Sequence, residues 1–280
     1  RGEGAGMVLL RPLADAVRDG DRIYSVIRGS GVNQDGRTLA LPVPNPVSQR
    51  ALAERVCAEA GIDPGQVGYV EAHGTGTAVG DPLEMEALGG AYGSVPTREV
   101  PLFVGSIKAS IGHTEAAAGI AGVIKTALSI HHRTIVPQAW LDTLNPAIPF
   151  EELGVRIPVD AEPFPEQYDR RVVAINGFGY GGTNAHVVMD DSHLADRASS
   201  EPSPCPTNPR LFPLSARSDT ATRGVAESLA DTLEKMLSAN PADDHDGLTR
   251  AFVAAAWTRR AHHPVRAALL FTDPEDLLAR

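Results

Sequence analysis

The chain has 280 residues, 42% of them hydrophobic, and a formal net charge of −10. That much apolar material supports a real core, in one large domain or two smaller ones, and excludes a wholly disordered chain. An acidic balance without a long basic run argues against nucleic-acid and anionic-membrane surfaces.

No apolar run reaches the ~20 residues of a membrane span, and no signal peptide is visible. Two distant cysteines, Cys57 and Cys205, fit a reduced, cytosolic protein better than a disulfide-stapled one. The chain opens on Arg1 and closes on "PEDLLAR", which reads as a helix start. Both ends suggest a piece of something longer.

In chain order, an apolar run at 7–10 precedes a short helix pattern and an alternating run near 23–28, which leads into a polar glycine loop. "NPVSQRALAERVCAEAGI" carries Leu52, Val56 and Ala60 at helical spacing, with Gly61 as the stop. Cys57 adjoins that stripe and is expected to be a packed core thiol. "VGYVEAH" reads as a buried strand. In "GDPLE", Asp81 is the expected N-cap, Pro82 suits the first helical position, and Glu84 completes a capping box.

"VPLFVGSIKASIGH" repeats the strand-then-loop arrangement. "TEAAAGIAGVIKTALSIHH" is apolar nearly all round and so predicts a buried helix, in which Gly119 and Gly122 permit close backbone approach. "RRVVAINGFGYGGTNAHVVMDD" predicts strand, glycine turn, strand. From about residue 192 the composition turns Ser- and Pro-rich, as in a linker. Cys205 lies there among prolines, with no activating base nearby in sequence. A strand at 211–215, helices near 219–238 and 247–258, and a strand in "VRAALLF" form a separate small unit. Alternating strands and helices of this kind indicate a layered α/β core.

Three loops at strand ends carry the chemistry: "EAHGTGT", "SIKASIGHTEAAAG" and "NGFGYGGTNAH". Two place a histidine beside glycine, His73 and His113, and Lys108 lies five residues before His113. The positive end of the helix opened by His113 and Thr114 disfavours a cationic imidazole, and a neutral one can donate an N–H to a developing oxyanion. Lys108 offers a fixed charge or orients a neighbour. Glu115 suits the helix dipole and is a candidate partner for Lys108.

Gly177, Gly179 and Gly182 fit a GxGxxG spacing, but the segment leads into a strand, so a dinucleotide site is rejected. His131/His132 and His262/His263 lack partner ligands at metal spacing, so no metal is expected. No GxSxG elbow is present to support a hydrolase.

"RGEGAGMVLLRPL", "GSGVNQDGRT", "EAHGTGTAVGDPLE", "GSIKASIGHTEAAAGIAGVIK" and "GFGYGGTNAHVV", in that order, resemble the C-terminal half of a β-ketoacyl synthase from a type I polyketide synthase. The resemblance runs from residue 1 to about 190. "LFPLSARS" and "TRRAHHPVRAALLF" are similar to the linker region between ketosynthase and acyltransferase domains.

The resemblance implies a thiolase-like layered α/β/α fold over 1–192, a Ser/Pro-rich linker over 193–210, and a truncated small α+β linker domain over 211–280. It implies decarboxylative Claisen condensation, in which a cysteine thioester is attacked by the enolate of a malonyl-type extender on an acyl carrier protein. On this resemblance His73, His113 and Lys108 are catalytic. Thr75, Thr77, Phe178 and Gly179 meet the phosphopantetheine arm, with Phe178 as an aromatic gate, while Glu115 and Asn184 support the site.

No cofactor is expected beyond that carrier arm. The implied partners are the acyl carrier protein, an adjacent acyltransferase domain, the N-terminal ketosynthase half and a second copy in a homodimer. The nucleophilic cysteine belongs to a segment outside these residues, so the chain alone is expected to be inactive. The other reading is a non-catalytic ketosynthase-like scaffold, which needs neither histidine nor Lys108.

Overall fold

A computed structural model describes residues 1–38, 40, 43–166, 170–192, 210–241, 245–258 and 263–280. The expected linker, with Cys205, falls almost wholly outside the described residues, as does His262. The chain forms two compact units. One takes Arg1–Leu13 and the described residues from Ile23 to 192. The other takes Ala14–Arg22 and the described residues from Arg210 onward.

After helix α1 (Leu13–Arg18), the first unit begins its regular structure with β1 (Val26–Gln34) and α2 (Pro46–Ala60). Asn45 caps α2, its side chain accepting from the Val47 and Ser48 amides. Gly61 ends the helix in the left-handed region at φ 65°. Next come β2 (Val67–Glu71), α3 (Gly80–Leu88), β3 (Leu102–Gly105) and the short α4 (Lys108–Ile111). Then follow α5 (Ala118–His132), β4 (Thr134–Ile135), β5 (Val155–Arg156), β6 (Glu162–Pro163), β7 (Val172–Phe178) and β8 (Thr183–Asp190).

Six strands make one mixed sheet in the order β1-β8-β7-β2-β3-β5. The β1–β8 and β8–β7 pairs are antiparallel, while β7–β2, β2–β3 and β3–β5 are parallel. Side chains alternate between its faces. Along β7, Val172 and Ala174 join one core with Leu52, Val56 and Cys57 of α2, and Val173 and Ile175 join another with Ile130 of α5. Helices therefore cover both faces, giving the layered α/β/α arrangement of a thiolase-like fold.

Two local expectations change. The glycine-rich stretch after residue 28 is strand, not loop. A β-carbon at Gly29 would meet Ala60 at 3.2 Å, and one at Gly31 would meet Val56 at 2.7 Å, so these glycines let α2 lie on β1. Helix α5 is not buried all round. Its buried residues in this chain form one stripe, Gly122, Thr126, Ser129 and Ile130, and Leu128 is exposed. Gly122 does permit close approach, by the Glu71 side chain and Ile175. A β-carbon at Gly119 would meet nothing.

In the second unit, β9 (Arg210–Ala216) is followed by α6 (Asp219–Ser238), α7 (His245–Thr258), β10 (Val265–Phe271) and α8 (Pro274–Ala279). Strands β9 and β10 pair antiparallel. Their Phe212, Leu214 and Phe271 pack with Leu229, Leu233 and Leu237 of α6, and Phe212 stacks on Phe252 of α7 at 5.7 Å. Ser218 caps α6 by accepting from the Ala221 amide.

Candidate active site

His73 stands just past the C-terminal end of β2. The loop behind it turns through left-handed glycines, Gly74 at φ 46° and Gly76 at φ 72°. A β-carbon at Gly74 would also strike the Ser106 side chain at 2.8 Å, so glycine is required there twice over.

The buried Glu84 carboxylate holds this loop. Its Oε1 accepts the His73 amide and its Oε2 the Gly74 amide, both at 2.8 Å. Glu84 is therefore not a capping-box residue. Asp81 is not the N-cap either. It lies inside α3 and accepts the Gly76 amide at 3.1 Å, while the Thr77 hydroxyl accepts the amide of Gly80, the first helical residue, at 3.0 Å. Burial raises the Glu84 carboxyl, and its hydrogen-bond donors pull the other way.

The His73 ring is oriented from β7. The Phe178 amide donates to its Nδ1 at 3.3 Å. With Nδ1 as acceptor, a neutral ring carries its proton on Nε2. Burial, then the nearby Lys108 charge, then His113, lower the His73 pKa to about 3, so the ring is neutral at physiological pH. His113 is held the same way from its own turn: the Glu115 amide donates to its Nδ1 at 3.0 Å. That leaves Nε2–H as the donor of this ring too. The two rings meet edge to face with centroids 5.5 Å apart, and Phe178 lies 5.5 Å from His73 on another side.

Lys108 opens α4. Burial lowers its ammonium pKa, while Glu71, Glu84 and Asp81 pull it back up. Below it sits an ion pair that the sequence did not reveal. Glu71, at the end of β2, takes Lys125 of α5 at 2.7 Å and the Tyr69 hydroxyl at 2.8 Å on Oε2. Its Oε1 accepts the Ile107 amide at 2.6 Å, pinning the turn that presents Lys108. The expected Glu115–Lys108 pair is absent. The Glu115 side chain pairs with Arg1, and its positioning contribution is the backbone amide on His113. Glu115 itself adopts φ 54°, in the left-handed region, which places that amide.

Two adjoining cavities surround these groups. One, of about 510 Å³, is lined by Lys108, Asp81, Ser106 and His113, with Met85, Leu144 and Phe150 among its apolar lining. The other, of about 870 Å³, is lined by His73, His113, Thr75, Thr77, Phe178 and Gly179. Thr75 and His113 face both. The Thr75 and Thr77 hydroxyl oxygens are 3.5 Å apart.

Asn184 also lines the second cavity. It donates to Asp35 at 2.7 Å and Asn33 at 3.1 Å, tying the glycine turn to the end of β1. Gly179 starts that turn, its amide donating to the Thr183 carbonyl at 2.7 Å. Cys57 lines neither cavity. It is fully buried in the α2 core, and burial raises its thiol pKa.

The layered α/β sheet thus carries two Nε2–H imidazoles, one just past the end of β2 and one just past α4, beside a partly buried lysine. The chain belongs to the β-ketoacyl synthase family. Residues 24–142 match the family described as β-ketoacyl synthase, C-terminal domain, and residues 145–268 match the ketoacyl-synthetase C-terminal extension.

Its relatives include the highly reducing polyketide synthase Preu1 of Preussia isomera, 45% identical over 82% of this chain and 10% of that protein. The 5-methyl-1-naphthoate synthase of Streptomyces sahachiroi is 39% identical over 99% of this chain and 15% of that protein. Among solved structures, the oxazolomycin ketosynthase domain OzmH KS7 of Streptomyces albus JA3453 superimposes with a TM-score of 0.76 at 32% identity, covering 96% of this chain and 45% of that one. The chain thus spans only a small part of these curated relatives and under half of this solved ketosynthase. Among the described residues, no helix is long and apolar enough to cross a membrane.

Proposed function

We propose that this chain forms the decarboxylating half of a polyketide ketosynthase site, within an acyl-transferring enzyme. A malonyl-type thioester, delivered on the phosphopantetheine arm of an acyl carrier protein, enters past Thr75, Thr77, Phe178 and Gly179. Loss of CO2 leaves negative charge on the thioester oxygen. His73 and His113 hold that charge with two Nε2–H bonds, and His73 is kept neutral first by burial and then by the nearby Lys108 charge. The resulting carbanion attacks the carbonyl carbon of an acyl thioester on a cysteine contributed by the parent protein outside these residues, forming the new C–C bond as the C–S bond breaks and the cysteine leaves as thiolate.

One observation supports the reading most. Each imidazole spends its Nδ1 on a backbone amide, so both rings have an N–H left to offer at Nε2, and their centroids are 5.5 Å apart. A polar, partly desolvated site strengthens such donors, and one is commonly worth ~2.7–4 kcal/mol in the transition state.

The proposal extends to the architecture. Residues 1–192 act as the ketosynthase part, 193–210 as linker and 211–280 as the domain leading to an acyltransferase. The parent is cytoplasmic and works as a homodimer.

The test is malonyl-thioester decarboxylation by the intact ketosynthase that contains this chain. His73→Ala and His113→Ala are each expected to lower kcat by about 10²–10³-fold. Full activity in both variants would overturn the proposal and favour a scaffold.

A further inference from the structure

We infer that His186, a buried histidine on β8 that touches neither cavity, is a positioning residue for His73, acting through Asn176 and Glu84. The inference rests on the proposed role of His73. It starts from the direction of each hydrogen bond in a buried row of side chains.

Glu84 is an acceptor for the His73 and Gly74 amides, and Oε1 takes a further donor, Nδ2 of Asn176, at 2.8 Å. That contact turns the Asn176 amide so that its Oδ1 faces the other way, where it meets Nδ1 of His186 at 2.7 Å. Because Oδ1 can only accept, Nδ1 of His186 carries the proton. His186 is buried and neutral, its pKa lowered by burial to about 4. Its Nε2 is then an acceptor, and the Tyr92 hydroxyl donates to it at 2.7 Å. The row ends where the Tyr92 oxygen meets the Cys57 sulfur at 3.6 Å. Every bond has one permitted sense, so no member can rotate without leaving a buried group unpaired.

The row is also well placed. Asn176 and His186 are direct partners across the β7–β8 ladder, and two residues along β7 the Phe178 amide meets Nδ1 of His73. One strand thus grips His73 at its ring, and at its backbone through Glu84. Glu84 lines the second cavity, but Asn176, His186, Tyr92 and Cys57 line neither. An effect of His186 on the chemistry is therefore indirect, and the hydrogen-bonded row through Asn176 and Glu84 leads to the His73 loop.

The experiment compares three variants of the intact ketosynthase. His186→Leu and His186→Phe both remove the donor to Asn176; Phe keeps a ring beside Tyr92 and covers the case in which Leu fails to fold. His186→Asn places an amide N–H where Nδ1 was. All three lose the Tyr92 acceptor, so a purely structural role would affect them alike.

Hydrogen exchange by mass spectrometry reads the peptide holding the His73 and Gly74 amides, and decarboxylation kinetics are measured in parallel. Loss of the donor is expected to speed exchange there at least ~10-fold and lower kcat about 10-fold at unchanged KM, as small misplacements of catalytic groups do. His186→Asn is expected to return both to within about 3-fold of the parent. Unchanged exchange in the Leu and Phe variants, or no recovery in Asn, would overturn the positioning role. If the parent enzyme itself does not decarboxylate, the proposed function fails while exchange still decides this inference.

Discussion

The two histidine loops present the same kind of ring by opposite means. His73 is held from a distance: Glu84 lies 11 residues away in sequence and Phe178 lies 105 away. His113 is held by its own turn, through the amide of Glu115 two residues on and a left-handed backbone at that residue. One ring depends on the packed sheet, the other on a local turn with exposed flanks. The comparison teaches that a symmetric-looking pair can respond very differently to substitutions nearby.

The strongest way to break the comparison is Glu84→Ala. It orphans the His73 amide, the Gly74 amide and the Asn176 side chain at once. Each buried unpaired group costs about 1–3 kcal/mol, so denaturant unfolding is expected to show a loss of several kcal/mol. A loss below about 1 kcal/mol would mean that the carboxylate does not hold the loop.

Acid sharpens the comparison next. Folded His73 resists protonation down to about pH 3 and folded His186 to about pH 4, while in the unfolded chain both titrate near 6.5. Between those values the unfolded state binds more protons. Stability from these groups is therefore full above about pH 6.5 and falls as pH drops through that window. His186→Asn removes one contributor, so its stability should fall less steeply between about pH 6.5 and 4 than the parent's in pH-dependent melts. An equal slope would contradict the neutral, buried His186.

The smallest effect belongs to the local turn. Glu115→Gly keeps the amide on His113, suits φ 54°, and gives up only an exposed pair with Arg1. Relief of the left-handed strain is worth about 1 kcal/mol, against at most a comparable loss for the pair, so melting should move by a few degrees at most. A large destabilisation would show that this loop, too, is wired into the core.

Much of this was legible in the sequence because it is local. The strand–loop–histidine units, the glycine hairpin between β7 and β8, and the bounds of α6 all follow from periodicity and turn residues. What escaped reading is what neighbours in space but not in sequence. Glu84 matched a capping-box spacing, and only the fold shows its carboxylate reaching back to His73. Glu71 read as strand filler until α5 brought Lys125 beside it. Gly29 and Gly31 read as loop because the helix residues that need their missing side chains, Leu52, Val56 and Ala60, lie 21 or more residues further on. His186 and Asn176 become a pair only through the antiparallel register.

The central claim is that the Nε2–H groups of His73 and His113 share one oxyanion. It is tested most directly by a crystal structure of the intact ketosynthase with a non-decarboxylating malonyl-pantetheine analogue bound. The account predicts the thioester oxygen within about 2.7–3.1 Å of both Nε2 atoms. An oxygen seated on one ring alone, or on neither, would contradict it.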